Sequence, residues 1–177
     1  MNKKAKLIHG FNVKDSGEGT IDLLKKPLEW KGYIVDDIEA DYGWTGPFQV
    51  LFGNGSRARK LLKNYEEGEV LIGHSNGCTI IARAIAMGMP VKKVIFIHPA
   101  LDNDWEPPKN SAVERIDVFY SKKDKATKWA AKIPFVLWGD MGTVGPSSCN
   151  KVFKRHCDGW KHSEGFTIHP DKFIESC

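Results

Sequence analysis

The pentapeptide Gly73-His74-Ser75-Asn76-Gly77 separates two stretches of different character. Residues 69–72 before it are a short run that predicts a buried strand, and residues 78–85 after it predict a helix. A serine on a sharp strand-to-helix turn with glycines on both sides is typical of a nucleophile elbow. The glycines would remove Cβ atoms where the two backbones pass closely. The structural alternative is a glycine-rich turn that carries an ordinary surface serine.

The composition is that of an ordinary globular protein. The chain has 177 residues, of which 41% are hydrophobic and 27% are charged, enough for one full core. The net charge of +4 is too small to argue for a nucleic-acid partner, and the sequence contains no nucleic-acid-binding motif. We therefore expect a single domain over residues 1–177 and no nucleic-acid partner.

The four cysteines, at positions 78, 149, 157 and 177, have the spacing of neither a zinc site nor a disulfide framework. A reducing compartment is the simplest interpretation, with a bridge between Cys149 and Cys157 left open. Only Leu7 and Ile8 follow the basic N-terminus before His9, too short an apolar run for a signal peptide. No stretch approaches membrane-spanning length, so we expect a cytoplasmic protein without membrane insertion.

Apolar runs of strand length alternate with helical stretches along the whole chain. The predicted strands cover residues 6–8, 33–38, 69–72, 94–97, 116–120 and 152–156. A helix after Thr20 should kink or end at Pro27, and another should begin at Ser56. Residues 135–150 predict an irregular loop. This alternation predicts an α/β fold, a mostly parallel six-stranded sheet with helices on both faces.

Ligand chemistry in such a sheet belongs at the carboxyl ends of the strands. A serine hydroxyl becomes nucleophilic when an imidazole takes its proton and a carboxylate fixes the tautomer of that imidazole. Asp124 after the fifth strand and His162 after the sixth supply both groups. Together with Ser75 they follow the order Ser…Asp…His that this elbow requires.

Two histidines compete with His162 for the role of base, and three aspartates compete with Asp124 for the role of acid. These competitors are His156, His169, Asp102, Asp104 and Asp140. The first histidine lies within a predicted strand and the second lies near the end of the chain, which favours structural roles. His74 inside the elbow and His98 at the end of the fourth strand lack the order or placement of the base.

These motifs resemble those of the α/β-hydrolase family. The likeness rests on the elbow, on His9-Gly10 after the first strand, and on Asp124 and His162, and it spans nearly the whole chain. The chain is similar to small lipases and esterases, as a minimal member without the family's first two strands and its lid domain. The resemblance implies the strand order 2-1-3-4-5-6 and a site that needs no metal or organic cofactor.

The resemblance also implies a role for each residue in a serine hydrolase that cleaves carboxylic esters. Ser75 would attack the carbonyl carbon and form an acyl-enzyme, with His162 transferring protons and Asp124 orienting the imidazole. The backbone N–H groups of Phe11 and Asn76 would form the oxyanion hole. The same triad would also serve a thioesterase, a peptidase or an amidase. An inactive member of the fold that serves as a binding module is the alternative outside catalysis.

Several tryptophans fall in loops on the predicted active side. One interpretation is an apolar substrate pocket for an acyl or aryl group, formed by Trp44, Trp105 and Trp138. The other is that these side chains anchor long loops onto a small core. The sequence leaves both interpretations open.

Overall fold

Six parallel strands form one sheet in a computed structural model, which describes residues 3–11, 18–35, 47–132 and 138–177. The strands are β1 (Lys3–Ile8), β2 (Tyr33–Val35), β3 (Val70–His74), β4 (Lys93–Ile97), β5 (Arg115–Tyr120) and β6 (Phe153–Cys157). Their order is β2-β1-β3-β4-β5-β6, and each neighbouring pair is parallel. The predicted strand order and fold class are confirmed. Residues 36–38 of the predicted second strand lie outside the described residues.

Helices cover both faces of this sheet. They are α1 (Lys25–Trp30), α2 (Pro47–Lys63), α3 (Asn76–Ala86), α4 (Lys125–Ala130), α5 (Met141–Val144), α6 (Glu164–Ile168) and α7 (Pro170–Ile174), with a 3-10 helix at Ile21–Leu24. Within the described ranges, no helix combines the length and the apolar character that crossing a membrane requires. The predicted placement of helices on both faces is also confirmed.

The two faces of the sheet hold separate hydrophobic clusters, and β4 contributes to both. Val94 and Phe96 pack with α2 and α3 on one face, whereas Ile95 and Ile97 pack with α1, α6 and α7 on the other. Alternate residues of a strand point to opposite faces, so a strand covered on both sides must be apolar throughout. This burial fixes the carboxyl ends of the central strands, where the candidate site lies.

Proline and glycine misled the prediction of two helices. The chain does not end its helix at Pro27, which is the third residue of α1. The first-turn N–H groups of a helix have no intrahelical acceptor, so a proline there removes no hydrogen bond. Ser56 does not begin α2, which already starts at Pro47 and runs through Gly53 and Gly55. Proline suits that first position, and tertiary packing outweighs the low helix propensity of glycine.

The segment predicted as an irregular loop over residues 135–150 contains the short helix α5. Its residues 135–137 lie outside the described ranges. The Met141 N–H donates to the Leu101 carbonyl at 2.9 Å, and the Gly142 N–H donates to the Pro99 carbonyl at 2.9 Å. These bonds fasten α5 to the loop after β4, so the segment borders the carboxyl ends of the strands.

Candidate active site

Ser75 joins β3 to α3 in a strained backbone conformation. Its φ is 53° and its ψ is −119°. For a residue other than glycine, this backbone conformation costs about 1–3 kcal/mol. Three hydrogen bonds hold the turn: the Ser75 N–H donates to the Ile97 carbonyl at 3.0 Å, and the Ser75 carbonyl accepts from Cys78 at 3.1 Å and Ala100 at 3.2 Å. The half-buried side chain is thereby held at the carboxyl edge of the sheet.

The glycines around the serine allow three backbones to approach one another. A Cβ at Gly77 would lie 2.2 Å from the Ile8 carbonyl oxygen, and one at Gly73 would lie 2.8 Å from Ile81 Cδ1. A Cβ at Gly10 would lie 3.1 Å from Ser75 Cβ. The predicted steric reason for the two elbow glycines is confirmed, and Gly10 keeps the loop after β1 against the serine.

Asp124 is held in place by the helix that follows it. As the N-cap of α4 it is fully buried, and its Oδ1 accepts from the N–H groups of Ala126 at 2.9 Å and Thr127 at 3.1 Å. An N-cap aspartate pairs with amides that have no other acceptor in the helix. Its second oxygen, Oδ2, lies 2.9 Å from Nδ1 of His162. The helix therefore fixes the carboxylate that meets the imidazole.

His162 lies in the loop between β6 and α6, against the elbow. Its carbonyl oxygen is 3.1 Å from His74 Nε2, and the two ring centroids are 4.7 Å apart. Because His74 directly precedes Ser75, this contact brings the imidazole to the serine side of the sheet edge. A carboxylate at Nδ1 favours the tautomer with its proton on Nδ1 and its lone pair on Nε2. A ring in that state can accept a proton through Nε2.

Asn76 begins α3 beside the serine, and its amide is fixed by two partners. Its Oδ1 accepts from Asn54 Nδ2 at 2.8 Å and from Trp138 Nε1 at 2.9 Å, and its Nδ2 donates to Asn54 Oδ1 at 3.2 Å. The Phe11 ring packs edge-on against Trp138, with centroids 5.1 Å apart. Phe11 and Asn76 are thus linked through one indole.

Comparison with known proteins gives the fold a name. No protein-family model and no curated protein sequence matches the chain. Solved structures do match over 98% of it. They include a hydrolase assigned to the alpha/beta superfamily from Xanthomonas campestris (16% identity, 96% of that chain, TM-score 0.58). Another is an esterase of Pyrococcus furiosus (12% identity, 80% of that chain, TM-score 0.62). A third is an extracellular alpha/beta-hydrolase from a Paenibacillus species (14% identity, 96% of that chain, TM-score 0.62). The chain has the α/β-hydrolase fold.

His98, which lacked the order or placement predicted for the base, contributes a second imidazole to the site of this α/β-hydrolase fold. It directly follows β4, has a φ of 46° and is 1% exposed. Its Nδ1 lies 3.2 Å from Asp124 Oδ2, and its Nε2 lies 3.0 Å from Oδ2 of Asp158, whose side chain is 5% exposed. Burial lowers the pKa of His98, but the two carboxylates outweigh it and raise the pKa to about 9. His98 is therefore a buried cation at neutral pH.

Asp124 accordingly lies between two imidazoles. Burial favours its neutral form, but His162 and His98 outweigh this and hold the pKa of Asp124 well below its usual range. One ligand atom from each of these three residues lies within 4.8 Å of the others, close enough to hold a metal ion. A histidine binds a metal ion as the neutral imidazole, not as the imidazolium. An ion would therefore have to displace the proton of His98.

His74, on the other side of His162, is buried without a carboxylate against its ring. Burial and the neighbouring rings of His162 and His98 hold the pKa of His74 well below its ordinary value. Its Nδ1 makes no hydrogen bond with any described residue. His74 is therefore a neutral ring that supports the His162 backbone.

The two competing histidines have other partners. His156 Nε2 is 2.7 Å from Asp117 Oδ1, and its ring stacks on Phe119 at 4.4 Å. The His169 ring packs against Trp160, with centroids 5.4 Å apart. Among the described residues, the carboxylate that pairs with His162 is Asp124 and not one of the alternatives, Asp102, Asp104 and Asp140.

The two described tryptophans of the predicted pocket, Trp105 and Trp138, belong to different hydrophobic clusters. Trp138 is buried and uses its N–H on Asn76. Trp105 packs against Phe96 and Phe153, at centroid distances of 5.8 and 6.4 Å. Trp44 lies outside the described residues. The contacts of the two described tryptophans favour an anchoring role.

Asn54 and Asp158 were missing from the sequence prediction, and His98 was considered there only as a base and set aside. Asp158 follows β6 and His98 follows β4, so each lies where a parallel sheet collects ligand groups. That placement was the available signal. Asn54 had only a weak signal, as a polar residue between two glycines inside a helix.

Proposed function

We propose that this protein is a serine hydrolase that cleaves carboxylic esters with Ser75, His162 and Asp124. The observation that supports it most is the 2.9 Å contact between Asp124 Oδ2 and His162 Nδ1, with His162 packed against the residue that precedes Ser75. The positive φ of the serine adds to this support. We also propose that the chain is a single catalytic domain and acts on a small-molecule ester in the cytoplasm, the location that the cysteine spacing favours.

The proposed reaction has two halves. Ser75 Oγ forms a bond with the carbonyl carbon while His162 Nε2 takes the hydroxyl proton. The tetrahedral intermediate collapses, the bond to the leaving oxygen breaks, and His162 gives its proton to that oxygen. A water molecule then attacks the acyl-enzyme with His162 again as base, releasing the acid and restoring Ser75. Asp124 stabilises the imidazolium in both halves.

The developing oxyanion would accept hydrogen bonds from the backbone N–H groups of Phe11 and Asn76. The loss of one such donor typically slows a reaction of this kind by about 100- to 1,000-fold. The Asn54 and Trp138 contacts to the Asn76 side chain fix the first residue of α3. Trp138 also packs against Phe11, so one network supports both proposed donors.

A fluorophosphonate probe tests the proposal directly. We expect one covalent adduct, located on Ser75 by mass spectrometry. Ser75→Ala should lose the adduct and all turnover of p-nitrophenyl acetate above background, because no nucleophile remains. Ser56→Ala, at an exposed serine in α2, is the matched control and should keep both. If the folded wild-type protein forms no adduct and hydrolyses no ester, the fold serves as a binding module instead.

The acyl bond that is cleaved needs a separate measurement. The same triad can cleave thioesters, peptides and amides, so matched substrates of these classes should be compared by kcat/KM. We expect the carboxylic ester to have the highest value. A higher value for an acyl thioester or a peptide amide would reassign the activity while leaving the three residues in their proposed roles.

A further inference from the structure

A cavity beside His162 is lined mainly by lysines. It encloses about 490 Å³, and its lining residues are Lys122, Lys123, Lys125, Ala126, Lys161 and His162. We call its four lysines the lysine rim. All four are exposed, and no acidic residue of the described ranges lines the cavity. Since lysine carries a positive charge at neutral pH, four cationic side chains surround this cavity, and their aliphatic stems form most of its wall.

Three acidic residues lie closest in sequence to the lysine rim, and one of them, Asp158, pairs with His98. Asp124 is buried against His162 and His98. Glu164 Oε2 accepts a hydrogen bond from the Lys161 backbone N–H at 3.0 Å. Farther along α4, a second cavity of about 290 Å³ is lined by Lys125, Lys128, Trp129 and Lys132, so the positive charge continues along the helix. The four lysines of the rim thus outnumber Glu164, the one of these carboxylates that is not paired with a histidine, and leave a net positive charge beside His162.

The position of His162 indicates which part of a substrate would meet these lysines. On the proposed mechanism, His162 must protonate the leaving oxygen and therefore lies on the side of the departing alcohol. His162 is also one of the residues that line the cavity. An alcohol portion with a negative group would consequently extend towards the lysine rim.

We propose that the lysine rim binds a phosphate or carboxylate on the alcohol portion of the ester. This specificity rests on the proposed function, since the direction of the substrate follows from the role of His162. Opposite charges attract substrate into the cavity and raise the encounter rate at low ionic strength. The same charges oppose departure of an anionic product only weakly, because exposed lysines remain solvated.

Two esters that differ by one charged group test this inference. At low salt, the phosphorylated ester 1-acetylglycerol 3-phosphate should have a higher kcat/KM than uncharged 1-acetylglycerol, and the ratio of the two values should fall as salt rises. Lys123→Gln and Lys161→Gln should each lower the ratio by about 1.5- to 5-fold, the effect of one exposed ion pair. Lys60→Gln, at an exposed lysine of α2 that does not line the cavity, should leave the ratio unchanged. Equal kcat/KM values for the two esters in wild type would overturn the inference.

Calorimetry separates this inference from the proposed function. Glycerol 3-phosphate should bind Ser75→Ala protein, which cannot turn over, and glycerol should not. If no ester is cleaved but this binding persists and weakens in Lys161→Gln, the hydrolase proposal fails while the anion site stands. If esters are cleaved but glycerol 3-phosphate does not bind, the lysine rim has no role in specificity.

Discussion

His74 and His98 are equally buried and lie at similar distances from His162, yet they carry different charges. Their exposed fractions are 2% and 1%, and their rings lie 4.7 and 5.9 Å from the ring of His162. His74 is bonded to a backbone carbonyl and is neutral, whereas His98 meets two carboxylates and is a cation. The difference teaches that burial alone does not set a histidine's charge, because the partner groups decide it.

This contrast matters for the candidate triad because both histidines flank its base. His74 supports the backbone of His162. His98 shares Oδ2 of Asp124 with His162, so the acid of the proposed triad interacts with two imidazoles. Three experiments break or sharpen the comparison.

Removing the charge of His98 should have the largest effect on the free energy of unfolding. His98→Gln leaves Asp124 and Asp158 without their shared cation, and breaking a buried pair typically costs about 3–5 kcal/mol. We expect a loss of this size in the free energy of unfolding at pH 7, measured by urea denaturation. Adding Asp158→Asn removes one of the two carboxylates and should restore part of the loss. A His98→Gln protein as stable as wild type would contradict the assigned charge.

The pH dependence of this loss should identify the charge. The pKa of His98 is raised to about 9 in the folded protein, against 6.5 for an ordinary histidine. The contribution of His98 to the free energy of unfolding is therefore complete below pH 6.5 and disappears as pH rises through 9. Each unit of pKa difference corresponds to about 1.36 kcal/mol, so the total change is about 3 kcal/mol. The stability difference between wild type and His98→Gln should shrink over this window. A difference that stays constant from pH 6.5 to 9 would show that His98 is neutral when folded.

Replacing His74 should have the smallest effect on the free energy of unfolding at pH 7.5. His74→Phe keeps an aromatic ring but loses the bond to the His162 carbonyl, worth about 1 kcal/mol. Because the pKa of folded His74 is lowered, wild type loses stability as pH falls below 6.5, where the unfolded histidine gains a proton. The variant should lack this loss, so its deficit should shrink or reverse at pH 5 in thermal unfolding. A deficit that grows in acid would show that His74 is protonated when folded.

The elbow was predictable because it depends on local pattern, whereas the strand order followed from the resemblance to the α/β-hydrolase family. An apolar run, a G-x-S-x-G turn and a helical stretch are contiguous, and the glycines have steric reasons that act within a few residues. The order Ser75, Asp124, His162 was equally visible along the chain. Asn54, His98 and Asp158 were harder to find, because no motif or expected order along the chain marks them and their partners lie 22 to 60 positions away.

The sequence by itself determined the six strands, their parallel arrangement and the turn that holds Ser75, since hydrophobic periodicity and backbone sterics act locally. The tertiary structure alone decided that α2 begins at Pro47, that Asp124 meets two imidazoles, and that one buried histidine is charged while its neighbour is neutral. A group's charge depends on which carboxylates, rings and carbonyls fold against it, and no spacing along the chain specifies those distances.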